Sequence, residues 1–277
     1  MINLNKKPNT INKKILLGIF LIIICICFIF TLLVIKHNKK TTSNNLKHKH
    51  VSGSISKKSK TTLVINISLR QVPGEYTPWT IKRADGTKIA YLTFDDGPSI
   101  NTEKILSILN QNNIKASFFL IGKNAENNPN LVKEEVANGE VIGNHTYSHQ
   151  INYKESSTDF VNDLNRCNLV LKTIIGKNYT SNIIRFPGGS FGHRLAPFRD
   201  AATKAGYAFI NWNDETGDSD GYDLPVPVLL NNLHKYTIGN TVVILMHDAS
   251  AKKTTVQALP QVIQYLKAKG YIFKTLQ

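Results

Sequence analysis

Residues 89–98 are Ile-Ala-Tyr-Leu-Thr-Phe-Asp-Asp-Gly-Pro. Six apolar or β-favouring residues run directly into two carboxylates and a turn-forming Gly-Pro. Such a run suits a strand buried on both faces, with the acidic pair at its C-terminal end. The residues that follow carry Ile105, Leu106, Ile108 and Leu109 at helical spacing. The same alternation then recurs. Strand-like runs lie at 116–121, 140–143, 183–186, 207–212, 241–246 and 271–275. Between them fall a helix opened by Pro129 and helical segments at 197–204, 226–235 and 256–269. Phe160, Leu164, Cys167, Leu171 and Ile174 share one face of a further long helix, which makes Cys167 a small core residue. The alternation predicts parallel strands with helices outside, as a barrel or a doubly wound sheet.

The polar residues fall at consistent places in this pattern. Asp95-Asp96 follows the first strand, His145 and His149 the third, and Arg185 to Gly189 the fourth. Asp214 to Asp218 follows the fifth and His247-Asp248 the sixth. Parallel strands bring their C-terminal ends to one face, so these side chains converge there. Two His separated by three residues, with a carboxylate from another strand, make a His₂-carboxylate set suited to Zn²⁺ or a related ion. Neighbouring carboxylates on an extended strand end point in different directions, so Asp95 and Asp96 can serve different partners. An Asx-type turn ahead of Gly97-Pro98 is the plainer reading of the same residues.

YLTFDDGPS, HTYSH, RFPGGS and ILMHD, in this order across a β/α body, resemble the motifs of the NodB-homology polysaccharide deacetylases, carbohydrate esterase family four. The resemblance covers about residues 88 to 276. It implies an α/β fold, an incomplete (β/α)₇ barrel, and metal-dependent removal of acetyl groups from N-acetylated sugars. By resemblance Asp95 is the general base, and Asp96, His145 and His149 hold a divalent ion, Zn²⁺ or else Co²⁺. Arg185 orients the base and His247 is the general acid. Leu245 lines the pocket for the acetyl methyl group, and the Gly188 N–H meets the oxyanion because Pro187 has none to give. Two departures accompany the match. RFPGG has no aromatic after its proline, which predicts a more open groove. In 211–219, Asn-Trp-Asn-Asp-Glu-Thr-Gly-Asp-Ser, Asp218 aligns best with the residue that tunes the acid His, with Asp214 and Glu215 as competitors; Ser219 replaces a stacking Trp. His193 and His234 have no motif support and read as surface or core positions.

Upstream, the composition changes. The chain of 277 residues carries a formal charge of +15, of which 12 lysines and no acids fall in residues 1–60. The remainder is close to neutral, which argues against a nucleic-acid-binding fold. At 42 % hydrophobic the chain is not disordered as a whole, and three cysteines are too few for a disulfide scaffold. Residues 15–35 contain no charge and would span about 31 Å as a helix at about 1.5 Å per residue. That run exceeds a cleavable signal's apolar core, and Ile precedes both Cys25 and Cys27 where a lipidation site needs a small residue. The expected organisation is a cytoplasmic tail (1–14), a single transmembrane anchor (15–35), a basic linker (36–61), a β-like lead-in (62–87) and the catalytic domain (88–277). The lysines flanking 15–35 are nearly balanced, so orientation follows from the chemistry: acetylated wall polymers lie outside the cell. The expected activity is N-deacetylation of N-acetylglucosamine in peptidoglycan, with cell-wall polysaccharide and membrane as partners and no nucleic acid. An O-acetyl glycan esterase, a chitooligosaccharide deacetylase and a non-catalytic wall-binding protein are the alternatives.

Overall fold

The computed structural model describes residues 72–276 except 155 and 178. The expected tail, anchor, linker and first ten lead-in residues lie outside the described residues. Among those described, no helix is long and apolar enough to cross a membrane.

The sheet is built on β2 (Lys88–Asp95), in which every residue after Lys88 is buried. Two strands flank it, β3 (Ser117–Leu120) and β8 (Thr241–His247), both parallel to it. Beyond β3 come β4 (Val141–Asn144), β5 (Ile183–Ile184), β6 (Ala208–Phe209) and β1 (Gly74–Glu75); beyond β8 comes β7 (Asp214–Glu215). Every pairing is parallel, and β9 (Tyr271–Phe273) adds to the start of β2. The edge strands β1 and β7 do not pair with each other, so the curled sheet stays an open, incomplete barrel. The described part of the lead-in joins the sheet itself: β1 pairs with β6, while Tyr76 and Trp79 pack on the inner apolar cluster.

Side-chain alternation along β2 sorts the core. Ile89 and Tyr91 face inward with Phe119, Ile183, Ile210 and Val243. Ala90, Leu92 and Phe94 face outward against helices α1 (Thr102–Gln111) and α7 (Lys253–Ala268), through Ile105, Leu109, Leu259 and Val262. By the same period of two, Thr93 and Asp95 belong to the inner face of β2, and Leu245 and His247 to that of β8. The register sets Thr93 beside Leu245 and Asp95 beside His247. The remaining helices are α2 (Gly122–Asn127), which the sequence pattern did not suggest, α3 (Pro129–Ala137), α4 (Ser157–Ile175), α5 (Ala196–Lys204) and α6 (Val226–Tyr236). The helix α4 starts on a capping box in which Ser156 and Asp159 bond each other's backbone N–H.

One core position is at odds with its surroundings. Glu135 on α3 is fully buried, three residues after Val132 on the same inward stripe, and neither carboxylate oxygen has a hydrogen-bond partner. Burial, with Asp248 and Glu140 nearby, raises its pKa well above the usual value of 4.5. The folded state thus holds a proton that the unfolded state releases above that value, and stability falls as pH rises through this range. Glu135→Met is expected to stabilise the protein by about 1–3 kcal/mol at neutral pH. Urea unfolding at pH 5 and pH 8 checks this, the gain being larger at pH 8.

Candidate active site

The two acidic residues at the end of β2 diverge as their positions require. Asp95 stays on the strand, 3 % exposed, and its Oδ1 accepts from Arg185 Nη1 at 2.9 Å. Asp96 turns away with φ 71°, a left-handed value that non-glycine residues rarely adopt. The turn is tied down on both sides. Asn124 Nδ2 donates to the Asp96 carbonyl at 2.8 Å, and Asp248 N–H donates to the Asp95 carbonyl at 2.8 Å. Asp248 also accepts from Ser99 and Thr102. A Cβ on Gly97 would lie 2.8 Å from Asp248 Oδ2, so this close approach requires glycine.

His145 and His149 come from the loop after β4, where Thr146 and His149 also take positive φ, 65° and 57°. Three sites of backbone strain this close together mark a place where geometry outranks local comfort. Asp163 on α4 holds the loop through one oxygen, Oδ2, which accepts from Tyr147 N, Ser148 N and Ser148 Oγ at 2.8, 3.1 and 3.2 Å. Asn144 Oδ1 takes the Thr146 N–H at 2.8 Å. The Arg185 carbonyl lies 2.8 Å from His145 Nδ1 and can only accept. His145 therefore carries its proton on Nδ1 and turns the Nε2 lone pair toward the carboxylates. Burial lowers the pKa of this ring, which favours the neutral form a ligand needs.

Asp96, His145 and His149 offer ligand atoms that all lie within 4.8 Å of one another. Asp96 Oδ1 stands 3.5 Å from His145 Nε2 and 3.1 Å from His149 Nε2, yet it is a buried oxygen without a hydrogen-bond donor. Groups aimed at a common point without bonding one another fit a shared cation, and two imidazoles with one carboxylate fit a catalytic divalent ion. Burial opposes ionisation of Asp96, but the imidazoles outweigh it and hold the carboxyl at about 2. An ionised ligand is therefore ready across the neutral range.

Arg185 lies beneath Asp95, wholly buried. Its guanidinium reaches Thr93 Oγ1 at 2.8 Å and the carbonyls of Ile210 and Asn211, each at 3.3 Å, and it lies 4.3 Å over the Phe119 ring. Beside Asp95, at the end of β8, His247 Nδ1 meets Asp218 Oδ1 at 2.8 Å, leaving Nε2 as the nitrogen free to face a substrate. Asp218 Oδ2 accepts from His247 N and Thr255 Oγ1 at 2.8 and 2.7 Å. Burial pulls the His247 pKa down, but the hydrogen bond and charge of Asp218 prevail and bring it to about 9. Its competitors serve elsewhere: Asp214 accepts from Thr237 at 2.7 Å and Glu215 from Trp212 Nε1 at 3.0 Å.

Leu245 is buried beside Thr93. Gly188 is exposed with φ 72°, next to half-buried Pro187, and its N–H takes no partner among the described residues. His193 and His234 are exposed and outside this cluster. Sequence reasoning missed Asp163, Thr255 and Asn124, which carry no motif signal; Asp248 was signalled only by its place after His247. A groove of about 330 Å³, lined in part by Ile100, Asn124, Asn128 and Ser250, opens onto Asp96 and His149. The larger cavity of about 760 Å³, bordered by Tyr76, Lys115, Lys267 and Lys274, contains none of these residues.

Comparison with known proteins agrees with this geometry. Residues 82–210 match the family model described as polysaccharide deacetylase. A peptidoglycan-N-acetylglucosamine deacetylase of Bacillus cereus is 36 % identical over 217 residues, 73 % of this chain and 75 % of that one. The structure of the polysaccharide deacetylase Bc1974 from Bacillus cereus is 34 % identical, with a TM-score of 0.62, covering 69 % of this chain and 92 % of the other. The Xyl-CE4 domain of a multidomain xylanase from the hindgut metagenome of Trinervitermes trinervoides is 32 % identical with a TM-score of 0.60, covering 69 % and 88 %. Matched along most of its described length, with the five motif regions folded onto one end of the sheet, the chain belongs to the polysaccharide deacetylases of carbohydrate esterase family four.

Proposed function

We propose that this protein removes the N-acetyl group from N-acetylglucosamine units of peptidoglycan, releasing acetate. The observation that carries the reading is the register of β2 on β8, which sets Asp95 with its arginine beside His247 with its aspartate, next to the Asp96, His145 and His149 cluster. The named activity of the Bacillus cereus relative supports the choice of substrate.

Asp96, His145 and His149 would hold the ion, with Zn²⁺ the best match to the donor set and Co²⁺ the next. When bound, a divalent ion supplies Lewis acidity, easing deprotonation of water and polarising a carbonyl. Asp95, held in place by Arg185, takes the proton of the attacking water. The Gly188 N–H meets the oxyanion that forms at the acetamide carbonyl. His247, protonated and oriented by Asp218, gives its Nε2 proton to the leaving nitrogen. The C–N bond breaks, acetate departs and a free amino sugar remains. Leu245 packs against the acetyl methyl group. In this reading the uncharged run 15–35 anchors the chain in the membrane and the catalytic domain faces the wall outside.

The test is acetate release from purified peptidoglycan by the full chain with added Zn²⁺ or Co²⁺. Release from wall material and N-acetylglucosamine oligomers supports the reading. Release confined to O-acetylated xylan assigns an esterase instead, and wall binding without release, with metal shown to be bound, assigns a binding protein.

A further inference from the structure

We infer that Phe191 and Trp212 form a stacking subsite for one pyranose ring of the glycan, flanking the sugar whose acetyl group is cleaved; the class of ligand rests on the deacetylase reading above. Phe191 is 56 % exposed, yet it is not a loosely held surface residue. Arg199 Nη1 donates to the carbonyls on both sides of it, Ser190 at 2.6 Å and Gly192 at 2.9 Å. Ser190 N–H and hydroxyl bond Asn211 Oδ1 at 2.9 and 3.1 Å, which ties the Phe191 loop to the segment bearing Trp212.

The two rings meet edge to face, 5.4 Å between centroids at 84°. A Cβ at Gly189 would lie 2.4 Å from the Phe191 ring and 3.0 Å from that of Trp212, and its φ is 85°. Glycine there lets the backbone come up beneath both rings. Trp212 is fixed in turn by Glu215, and its ring lies 5.8 Å from the Arg185 guanidinium that holds Asp95. The exposed ring is thus linked to the reacting end through Trp212 and Arg185.

A rigid, exposed aromatic offers no hydroxyl or amide to read polar groups. What it recognises is a flat apolar face. A pyranose with equatorial substituents presents such a face of C–H bonds, which the electron-rich ring attracts. Because the aromatic pair is already fixed, little ordering entropy is lost on binding.

Tryptophan fluorescence of the full chain, titrated with the N-acetylglucosamine pentasaccharide with and without Zn²⁺, reads binding apart from turnover. Phe191→Ala is expected to weaken pentasaccharide binding about tenfold, with Phe191→Tyr restoring it. Leu169→Ala, on the exposed face of α4, leaves it as in the wild type. In turnover, the kcat/KM of the pentasaccharide relative to the monosaccharide falls in Phe191→Ala, through KM. Equal pentasaccharide affinity in wild type and Phe191→Ala overturns the subsite. Weakened binding in a chain that releases no acetate supports the subsite and overturns the deacetylase reading, so the two failures are distinguishable.

Discussion

Asp95→Asn is expected to lower kcat by about 10²–10⁴-fold while cation binding at Asp96, His145 and His149 is retained. The substitution is nearly isosteric. Asn keeps an oxygen to accept from Arg185 Nη1, so the 2.9 Å contact survives, but the carboxylate's capacity to take a proton is gone. Asp95 Oδ2 lies 3.7 Å from His145 Nε2, next to the cation ligands but outside the cluster they form. Loss of activity with cation affinity preserved, measured by acetate release and by Co²⁺ titration on the same sample, separates the base from the ligands. The buried guanidinium also loses its counter-charge, so turnover is to be expressed per folded molecule. Activity within tenfold of wild type would remove Asp95 from the role of base.

Arg185→Met is expected to cost about 3–5 kcal/mol of stability, besides activity. Arg185 is the largest fully buried side chain among the described residues, and it binds groups from β2 and from the segment after β6. Methionine fills much of the volume but leaves Asp95, Thr93 Oγ1 and two carbonyls without their donor. A buried carboxylate stripped of its partner accounts for most of the cost. Lysine is no remedy, because a single ammonium lacks the planar fork that reaches these acceptors together. A double-mutant cycle by urea unfolding decides the cause. Arg185→Met combined with Asp95→Leu recovers most of the loss if the orphaned charge is responsible, and none if the packing of the arginine is.

The long strands were legible because burial on both faces makes their interiors almost wholly apolar, as 89–94 and 242–246 are. The runs at 183–186 and 207–212 are largely apolar, each with one polar residue, but form only two ladder residues each. There the chain leaves the ladder early and turns Arg185, Asn211 and Trp212 into the site, so hydrophobicity reported burial and overstated pairing. The short β7 was invisible because its Asp-Glu sequence is the opposite of a strand signature. Among the site residues, those in compact motifs were readable. Asp163 and Thr255 were not, because a side chain that supports a loop from the next helix leaves no local pattern. Asp218 aligned best among the three acids of 214–218, and its 2.8 Å contact with His247 sets it apart from Asp214 and Glu215.

The position of β8 between β2 and β7 also governs how the molecule comes into being. Ile89 pairs with Thr241, and the rest of β2 follows in step to His247. As the chain is synthesised, β2 finds β3 early on one edge, while its other edge waits for the last part of the chain. An apolar strand with one bare edge is a template for wrong partners. The Asp96, His145 and His149 cluster is complete by residue 149, whereas the Asp218–His247 pair is complete only at residue 247. Closing that pair is the long-range step, and contacts of large sequence separation form slowly. A chain ending before Thr241 keeps the cluster, lacks His247, and exposes an adhesive edge.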